Sequence, residues 1–231
     1  MAALARLLPM LFGFVRGRDA VAAVEFAFVF PVALLLYVGA AEVASGVTTS
    51  RKLDSVTHTL VDLLSKQQTS PQALSIPTPP NAVPQTTLAT LVSSAATLLY
   101  PKPTDTLAMT LTAIDVRNAV DGKCCDATVR WSYTQKGALR PCGLQMTGTA
   151  AVSTGPAELP AQLLPTGTKL AQPFSVLVAE TAYTYQPVWG SSFLNFNPTM
   201  RRTEYMTPRT TGQVVTGLLS SSGPQSGRVC Y

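Results

Sequence analysis

Apolar residues fill one long stretch near the start of the chain, residues 20–41, with the sequence AVAAVEFAFVFPVALLLYVGAA. Glu25 is the single charged residue within it. At about 1.5 Å per helical residue the stretch spans about 33 Å, which matches the bilayer hydrocarbon core of about 30 Å. The pattern therefore predicts one transmembrane helix over residues 20–42.

The charges that flank this stretch predict its orientation. Arg6, Arg16 and Arg18 precede it together with one acid, Asp19, whereas acidic and basic residues nearly balance after it. Cytoplasmic flanks of membrane helices carry an excess of Lys and Arg. We therefore expect residues 1–19 to form a basic cytoplasmic leader and the bulk of the chain to lie outside the cytoplasm.

Two residues inside the apolar stretch are unusual for a membrane helix. A carboxylate such as Glu25 costs on the order of 2.5–3.5 kcal/mol near the bilayer centre, so it either has a function or reaches the headgroups and pairs with Arg16 or Arg18. Pro31 removes one backbone hydrogen bond and is expected to kink or loosen the helix. A cleavable signal peptide ending at residues 38–40 is the alternative, but it leaves Glu25 and the length unexplained.

Helical periodicity continues beyond the membrane segment and predicts a helical extension over residues 43–70. Its apolar stripe, which we expect to pack on a sheet, consists of Leu53, Val56, Leu60, Leu63 and Leu64. Residues 71–84 contain SIPTPPNAVP and predict a proline-rich extended linker. A second short helix, closed by Pro101, is indicated by Leu88, Leu91, Val92, Ala95, Leu98 and Leu99.

From residue 106 onward the apolar period is that of strands. We predict strands at residues 106–117, 126–135, 174–186 and 203–206, while residues 138–170 remain ambiguous and a polar Gly/Ser tail leads to Cys230. Asp121-Gly122 predicts a hairpin turn between the first two strands.

The strand at residues 126–135 alternates, so Val129, Trp131 and Tyr133 are expected on one of its faces and Thr128, Arg130 and Ser132 on the other. The predicted fold class is α+β, with a long N-terminal helix packed on an antiparallel sheet of about four strands and the extracytoplasmic domain at residues 85–231.

Composition gives no sign of an enzyme. The net charge of +5 is scattered rather than clustered with aromatics, so no nucleic-acid surface is indicated. Gly-x-Ser-x-Gly, a phosphate-binding glycine loop and HExxH are absent from the sequence. The one histidine, His58, is expected to be a solvated residue on the helical extension. We predict a non-enzymatic protein without a metal or cofactor.

Two further groups of residues have a structural and a functional interpretation. Asp115, Asp121 and Asp126 could hold calcium, but they lack the DxDxDG spacing, so turn formation is the preferred account. An aromatic group could form an exposed binding patch, although a buried sheet face and loop anchors are preferred. Its members are Tyr183, Tyr185, Trp189, Phe193 and Phe196.

All four cysteines, Cys124, Cys125, Cys142 and Cys230, lie in the part expected outside the membrane. Their spacing is unlike that of a zinc site and indicates structural disulfides in an oxidising compartment. Because adjacent cysteines rarely bond to each other, we expect one of Cys124 and Cys125 to pair with Cys142 and the other with Cys230.

Two segments of the sequence resemble the TadE/TadG-like family, the minor pseudopilins and assembly proteins of the tight-adherence (Tad/Flp) type IVb pilus. The first covers about residues 16–62 and contains RGRDAVAAVEFAFVFPVALLLYVGAAEV, with an AVEFA core around Glu25 and Phe26, Pro31 five residues after Phe26, and an exit at Gly39–Glu42. The second is similar to the end of family members, with YTYQPVWG, YMTPR and a late cysteine. Its residues are Tyr183, Tyr185, Pro187, Pro208, Arg209 and Cys230.

The resemblance implies a pilin-like protein of the bacterial inner membrane that supports pilus biogenesis and adhesion. Its implied partners are the lipid bilayer, other pilins or pseudopilins, the Tad secretion machinery and, for cleaved members, a prepilin peptidase. Cleavage would fall between Ala20 and Val21, which makes Glu25 the fifth residue of the mature chain. The family pattern has glycine before the cut, whereas Gly17 lies three residues earlier here, and uncleaved members also exist. The alternative function is a membrane-anchored or secreted periplasmic ligand-binding domain.

Overall fold

The computed structural model describes residues 18–67, 82–119, 124–147, 150–151, 170, 173–188, 197–209, 217–219 and 226–230. These residues fall into two compact units, one with residues 18–47 and 187–188 and the other with the remaining residues. The architecture is α+β, with a long N-terminal helix followed by an antiparallel sheet domain, as predicted. Most of the predicted leader and linker, at residues 1–17 and 68–81, lies outside the described residues.

The N-terminal helix, α1, spans Arg18–Ser65 and contains Pro31. It joins the predicted membrane segment and the predicted extension in one element, and it ends five residues before the predicted end at residue 70. Within the sheet unit its buried stripe consists of Leu53, Val56, Leu60 and Leu64, and Leu63 packs at the margin. The periodicity of this stripe is confirmed.

A buried hydrogen bond between two threonines also joins α1 to the sheet. The Thr57 hydroxyl donates to the Leu53 carbonyl oxygen at 2.8 Å and lies 2.6 Å from the Thr181 hydroxyl oxygen. Both threonine side chains are buried, so their hydroxyls need these partners to offset the loss of water.

The second helix, α2, spans Gln85–Ala96 and continues into a 3₁₀ turn at Thr97–Leu99. Its buried apolar residues recur at helical spacing, as predicted: Leu88, Leu91, Val92 and Ala95. Leu98 was expected to join this stripe and is instead 42% exposed. The change to 3₁₀ geometry, with three residues per turn, moves its side chain off the buried face.

Most strands belong to one sheet, whose described part has seven strands: β2 Leu107–Asn118, β3 Cys124–Gln135, β4 Gly143–Thr147, β5 Ala150–Ala151, β6 Phe174–Thr184, β7 Thr199–Met206 and β9 Ser226–Val229. Their order in the sheet is β5-β4-β3-β2-β6-β7, with β9 beside β3. Every pairing in it is antiparallel. A separate parallel pair joins β1 Ala82–Pro84 to β8 Gly217–Leu219.

The four predicted strands are present as β2, β3, β6 and β7, and β2 and β3 pair as the predicted hairpin. The predicted turn, Asp121-Gly122, lies outside the described residues. The expectation of about four strands was too low, because β4, β5 and β9 are short and carry little alternation. Residues 82–84, at the end of the predicted extended linker, form a short strand in a two-stranded pair, where an edge position tolerates proline.

A β-bulge in β3 changes which face its side chains occupy. Ala113 pairs with Trp131 and Ile114 pairs with Val129, so Arg130 is an extra residue in β3. Neighbouring residues of β2 point to opposite faces, so Val129 and Trp131 do as well. The prediction that they share a face was therefore wrong for Val129.

The sheet has a buried apolar cluster on each face. On one face, residues of α1 and α2 pack against Leu111, Trp131 and Tyr133. On the other, the apolar cluster consists of Ile114, Val116, Cys125, Ala127, Val129, Val176, Val178 and Cys230. The bulge is what lets β3 contribute large side chains to both clusters.

Candidate assembly helix and the contacts of the C-terminal motif

The first part of α1 exposes apolar side chains along its length. Exposed fractions include 65% for Phe26, 76% for Phe28 and 73% for Leu35. Within the described part of the chain, α1 is the one helix long and apolar enough to cross a membrane. An exposed apolar surface of this extent is unstable in water and is matched by lipid tails or by other apolar helices. The helix therefore suggests membrane anchoring.

The assembly residues expected from the sequence lie on this exposed part of α1. Glu25 is exposed and is the one acid between Val21 and Ala41. Phe26 stacks on Phe30 with ring centroids 5.3 Å apart, and Pro31 follows directly. The proposed cleavage point is at the start of the helix: Ala20 belongs to α1, and Val21 is 59% exposed.

The tyrosines of the C-terminal motif are core residues rather than an exposed patch. Tyr183 and Tyr185 are 2% and 4% exposed. Burial raises the pKa of Tyr183, and a hydrogen bond with Thr106 partly opposes that rise. The Lys102 ammonium lies 5.2 Å from the centroid of the Tyr185 ring, within cation–π range. The other aromatics of the group, Trp189, Phe193 and Phe196, lie outside the described residues.

The Pro208-Arg209 part of the motif contacts the C-terminal end of α1. The Arg209 backbone N–H donates to the Ser65 carbonyl oxygen at 3.0 Å, which satisfies one of the carbonyls left free at a helix end. The Arg209 guanidinium lies 2.8 Å from an Asp62 carboxylate oxygen, and the Lys66 ammonium lies 2.6 Å from the other. Arg209 thus joins the segment after β7 to the last turn of α1.

Replacing Arg209 with alanine is expected to lower the stability of the sheet unit modestly at neutral pH and not at all in strong acid. The hydrogen bond from Lys66 lowers the pKa of Asp62 below its usual value of 3.8, the charge of Arg209 lowers it further, and desolvation opposes both. A lowered pKa gives stability that is present above pH 3.8 and lost as pH falls through the folded-state pKa.

Urea unfolding of the wild type and the Arg209→Ala protein at pH 7 and at pH 2.5 measures this effect. Arg201→Ala is the matched control, because Arg201 is exposed and no ion pair involves its side chain among the described residues. An equal loss for Arg209→Ala at both pH values would show that the Asp62 pair is not its cause.

Two of the three aspartates considered for calcium, Asp115 and Asp126, lie among the described residues. Asp115 is 1% exposed in β2, where it pairs with Arg130 and with Arg117 and accepts a hydrogen bond from the Ser175 hydroxyl at 3.1 Å. Asp126 lies in β3, and Asp121 is outside the described residues. The preferred account of turn formation was wrong for Asp115 and Asp126, which are strand residues. No group of three metal-ligating side chains occurs in the described ranges.

His58 is exposed on α1, as expected. It lies one turn before Asp62, and its positive charge, when protonated, lowers the pKa of Asp62 slightly. Its exposed position on α1 fits a solvated surface residue.

The disulfide pairing expected from the sequence was wrong. Cys142 bonds to Cys230, with their Cα atoms 5.4 Å apart and a sequence separation of 88. The sheet topology is the reason: β4 and β9 both pair with the same edge of β3, so the residue before β4 meets the residue after β9. Cys125 is buried and is also in a disulfide, while the side chain of Cys124 lies outside the described residues.

A buried ion pair on the second face of the sheet escaped the sequence analysis. Arg140 is 4% exposed, and its guanidinium donates to both carboxylate oxygens of Glu180, at 3.1 and 3.3 Å. The Arg140 backbone N–H donates to the Ser132 hydroxyl oxygen at 3.1 Å. Burial raises the pKa of nearby Tyr205, whereas the charge of Arg140 and a hydrogen bond with it lower that pKa. Glu180 lies between a buried alanine and a buried threonine in β6. A charged residue at this place in an apolar strand is the sequence signal that could have indicated the ion pair.

A single apolar helix that leads into an α+β domain defines a class of proteins that includes membrane-anchored pilin-like subunits. Within that class, residues 20–60 match the family model described as TadE-like protein, which confirms the resemblance seen in the sequence. The match covers 41 of the 231 residues, so the chain carries a TadE-like segment that includes most of α1. No curated protein and no solved structure matches the chain.

Proposed function

We propose that this protein is a non-enzymatic, minor pseudopilin-like component of a Tad/Flp type IVb pilus. In this proposal α1 anchors it in the bacterial inner membrane, with its N-terminus in the cytoplasm and the sheet domain in the periplasm, where it supports pilus biogenesis and surface adhesion. The observation that carries the proposal is the TadE-like match, which covers the exposed apolar part of α1 with Glu25 and continues into the part of α1 that is buried on the sheet.

Glu25 supports an assembly role because its cost in a membrane demands a partner. If a prepilin peptidase cuts between Ala20 and Val21, the new amino group of a neighbouring subunit is the cation that Glu25 would face. If the leader is retained, Arg16 and Arg18 supply the positive charge instead, and the protein acts as a permanently anchored assembly factor.

The experiment is to replace Glu25 with alanine in the native host and to count pili by electron microscopy, alongside the intact mass of the membrane-extracted protein. We expect normal protein levels and loss of pili. Arg51→Ala is the control, because Arg51 is exposed on the same helix outside the AVEFA core and the Gly39–Glu42 exit, and it should leave pili unchanged. Normal piliation with Glu25→Ala would overturn the proposal. A chain that begins at Val21 would establish cleavage, one that begins near Met1 a retained leader, and one that begins near Ala41 a signal peptide.

The alternative, a periplasmic ligand-binding domain that uses exposed aromatics, receives less support. The two described members of the aromatic group, Tyr183 and Tyr185, are buried and unavailable to a ligand. Neither Glu25 within the apolar helix nor the TadE-like match is explained by that function.

A further inference from the structure

A pocket of about 280 Å³ opens between the C-terminal end of α2 and the ends of β2 and β3. Its floor consists of Leu107 and Met109, whose exposed fractions are 1% and 2%, together with Ala96. An apolar cavity of about 150 Å³ is large enough to bind benzene. This pocket therefore has room for one aromatic or branched aliphatic side chain and a small polar group beside it.

The rim of the pocket supplies hydrogen-bond donors and one positive charge. Lys136 lies at the end of β3 with its ammonium 3.3 Å from the Asp105 carbonyl oxygen, which leaves further N–H groups free to donate. Gln135 and Thr104 also line the pocket, and their side chains make no hydrogen bond to another described residue. No acidic side chain lines the pocket among the described residues.

The other hydroxyls at the rim are already used as donors. Ser93 donates to the Thr90 carbonyl oxygen at 2.9 Å, and Thr97 donates to the Ser94 carbonyl oxygen at 2.7 Å. The free donors are therefore concentrated on the side of the pocket formed by Lys136, where an acceptor with a negative charge is favoured.

The backbone of Lys136 is held in the left-handed region, with φ of 59°. This conformation is uncommon for a residue other than glycine, asparagine or aspartate and is often found at functional sites. It turns the chain sharply after β3, which brings Gly137 against Thr134 and Thr110 and keeps the Lys136 side chain at the pocket rim.

From this geometry we propose that the pocket binds a segment of another subunit that carries an apolar side chain next to a carboxylate. The apolar side chain lies on Leu107, Met109 and Ala96, and the carboxylate accepts hydrogen bonds from Lys136 and Gln135. The identity of the partner as a pilus subunit rests on the proposed function, whereas the chemistry of recognition rests on the pocket alone.

The test uses the full chain in lipid nanodiscs with ¹³C-methyl methionine, and the Met109 methyl signal is assigned from a Met109→Leu sample. The probe is the dipeptide acetyl-Phe-Asp-amide, and its matched comparisons are acetyl-Phe-Asn-amide and acetyl-Ala-Asp-amide. We expect a saturable shift of the Met109 signal with Phe-Asp, and at least roughly tenfold weaker binding when either the charge or the ring is removed.

Lys136→Asn removes the charge while keeping a residue that tolerates the left-handed conformation, so it is expected to weaken Phe-Asp binding by roughly tenfold or more without unfolding. Arg51→Gln, an exposed charge change outside the pocket, is the control and should bind normally. Absence of a saturable shift, or equal binding of Phe-Asp and Phe-Asn, would overturn the inference. Either result leaves the Glu25 experiment unaffected, so the two proposals fail independently.

Discussion

Replacing Cys142 and Cys230 with serine is expected to lower the free energy of unfolding of the sheet unit by about 4.6 kcal/mol, the value that the chain-entropy model gives for a disulfide that closes a loop of this length. The bond spans 88 residues and fastens the residue after β9 to the residue before β4. Without it, β9 is held by its four-residue pairing with β3 and by the Cys230 N–H, which donates to the Arg130 carbonyl oxygen at 2.8 Å.

Urea unfolding of the detergent-solubilised full chain measures this loss. Trp131 is completely buried in the apolar cluster between the sheet and the helices α1 and α2, so its fluorescence reports on unfolding of the sheet. A Trp189→Phe background leaves Trp131 as the single tryptophan of the chain. Substitution is preferable to a reducing agent, because a reductant would also open the disulfide of Cys125. A change in free energy below about 1 kcal/mol would contradict a stabilising role of the bond.

Replacing Arg140 with methionine is expected to cost about 3 kcal/mol, at the lower end of the range for removing one partner of a buried ion pair. Arg140 is nearly fully buried. Its backbone N–H donates to Ser132 in β3, and its guanidinium donates to Glu180 in β6. Its loss leaves the Glu180 carboxylate without a counter-charge. The Glu180 side chain is 21% exposed, so water compensates in part, which is why the lower value applies.

A double-mutant cycle separates the pair from its packing. Glu180→Met alone should destabilise the protein, because it leaves the Arg140 guanidinium buried and unpaired. The double variant with methionine at both positions should recover most of the loss, since no buried charge remains. If the double variant is as unstable as the sum of the two single variants, Arg140 and Glu180 are not energetically coupled.

The sequence predicted those elements whose apolar period is long and regular. The stripe at Leu53, Val56, Leu60 and Leu64 predicted both the helix and its buried face. Strands β2 and β6 are 12 and 11 residues long, and their apolar content was sufficient to locate them. In each case many residues carry the same signal, so one exception does not hide it.

The features that were missed depend on one residue or on distant pairing. The bulge at Arg130 leaves no mark in the alternation of β3, although it moves Val129 to the other face. Strand β9 is four residues long in a polar Gly/Ser region, and only its pairing with β3 makes it a strand. The Cys142–Cys230 bond follows from that pairing and could not be derived from cysteine spacing.

The candidate site was likewise predictable in part. The apolar helix was predictable from residues 20–42, because a membrane segment is recognised by its composition, whereas the TadE-like resemblance rested on the motifs within residues 16–62. The contact of Arg209 with Ser65 and Asp62 was not, since it joins two segments more than a hundred residues apart. The Lys136 pocket requires the position of α2 on the sheet, which no local pattern specifies.

The position of β9 also constrains when the domain can mature. β4 and β9 pair with different halves of the same edge of β3, so residues 226–229 cover the half of that edge that β4 leaves open. Pairing between segments so far apart in sequence forms late in folding. In the proposed topology this edge of β3 is therefore covered only after residue 229 has been translocated, and a nascent chain stalled earlier would display an open edge of β3 to its neighbours.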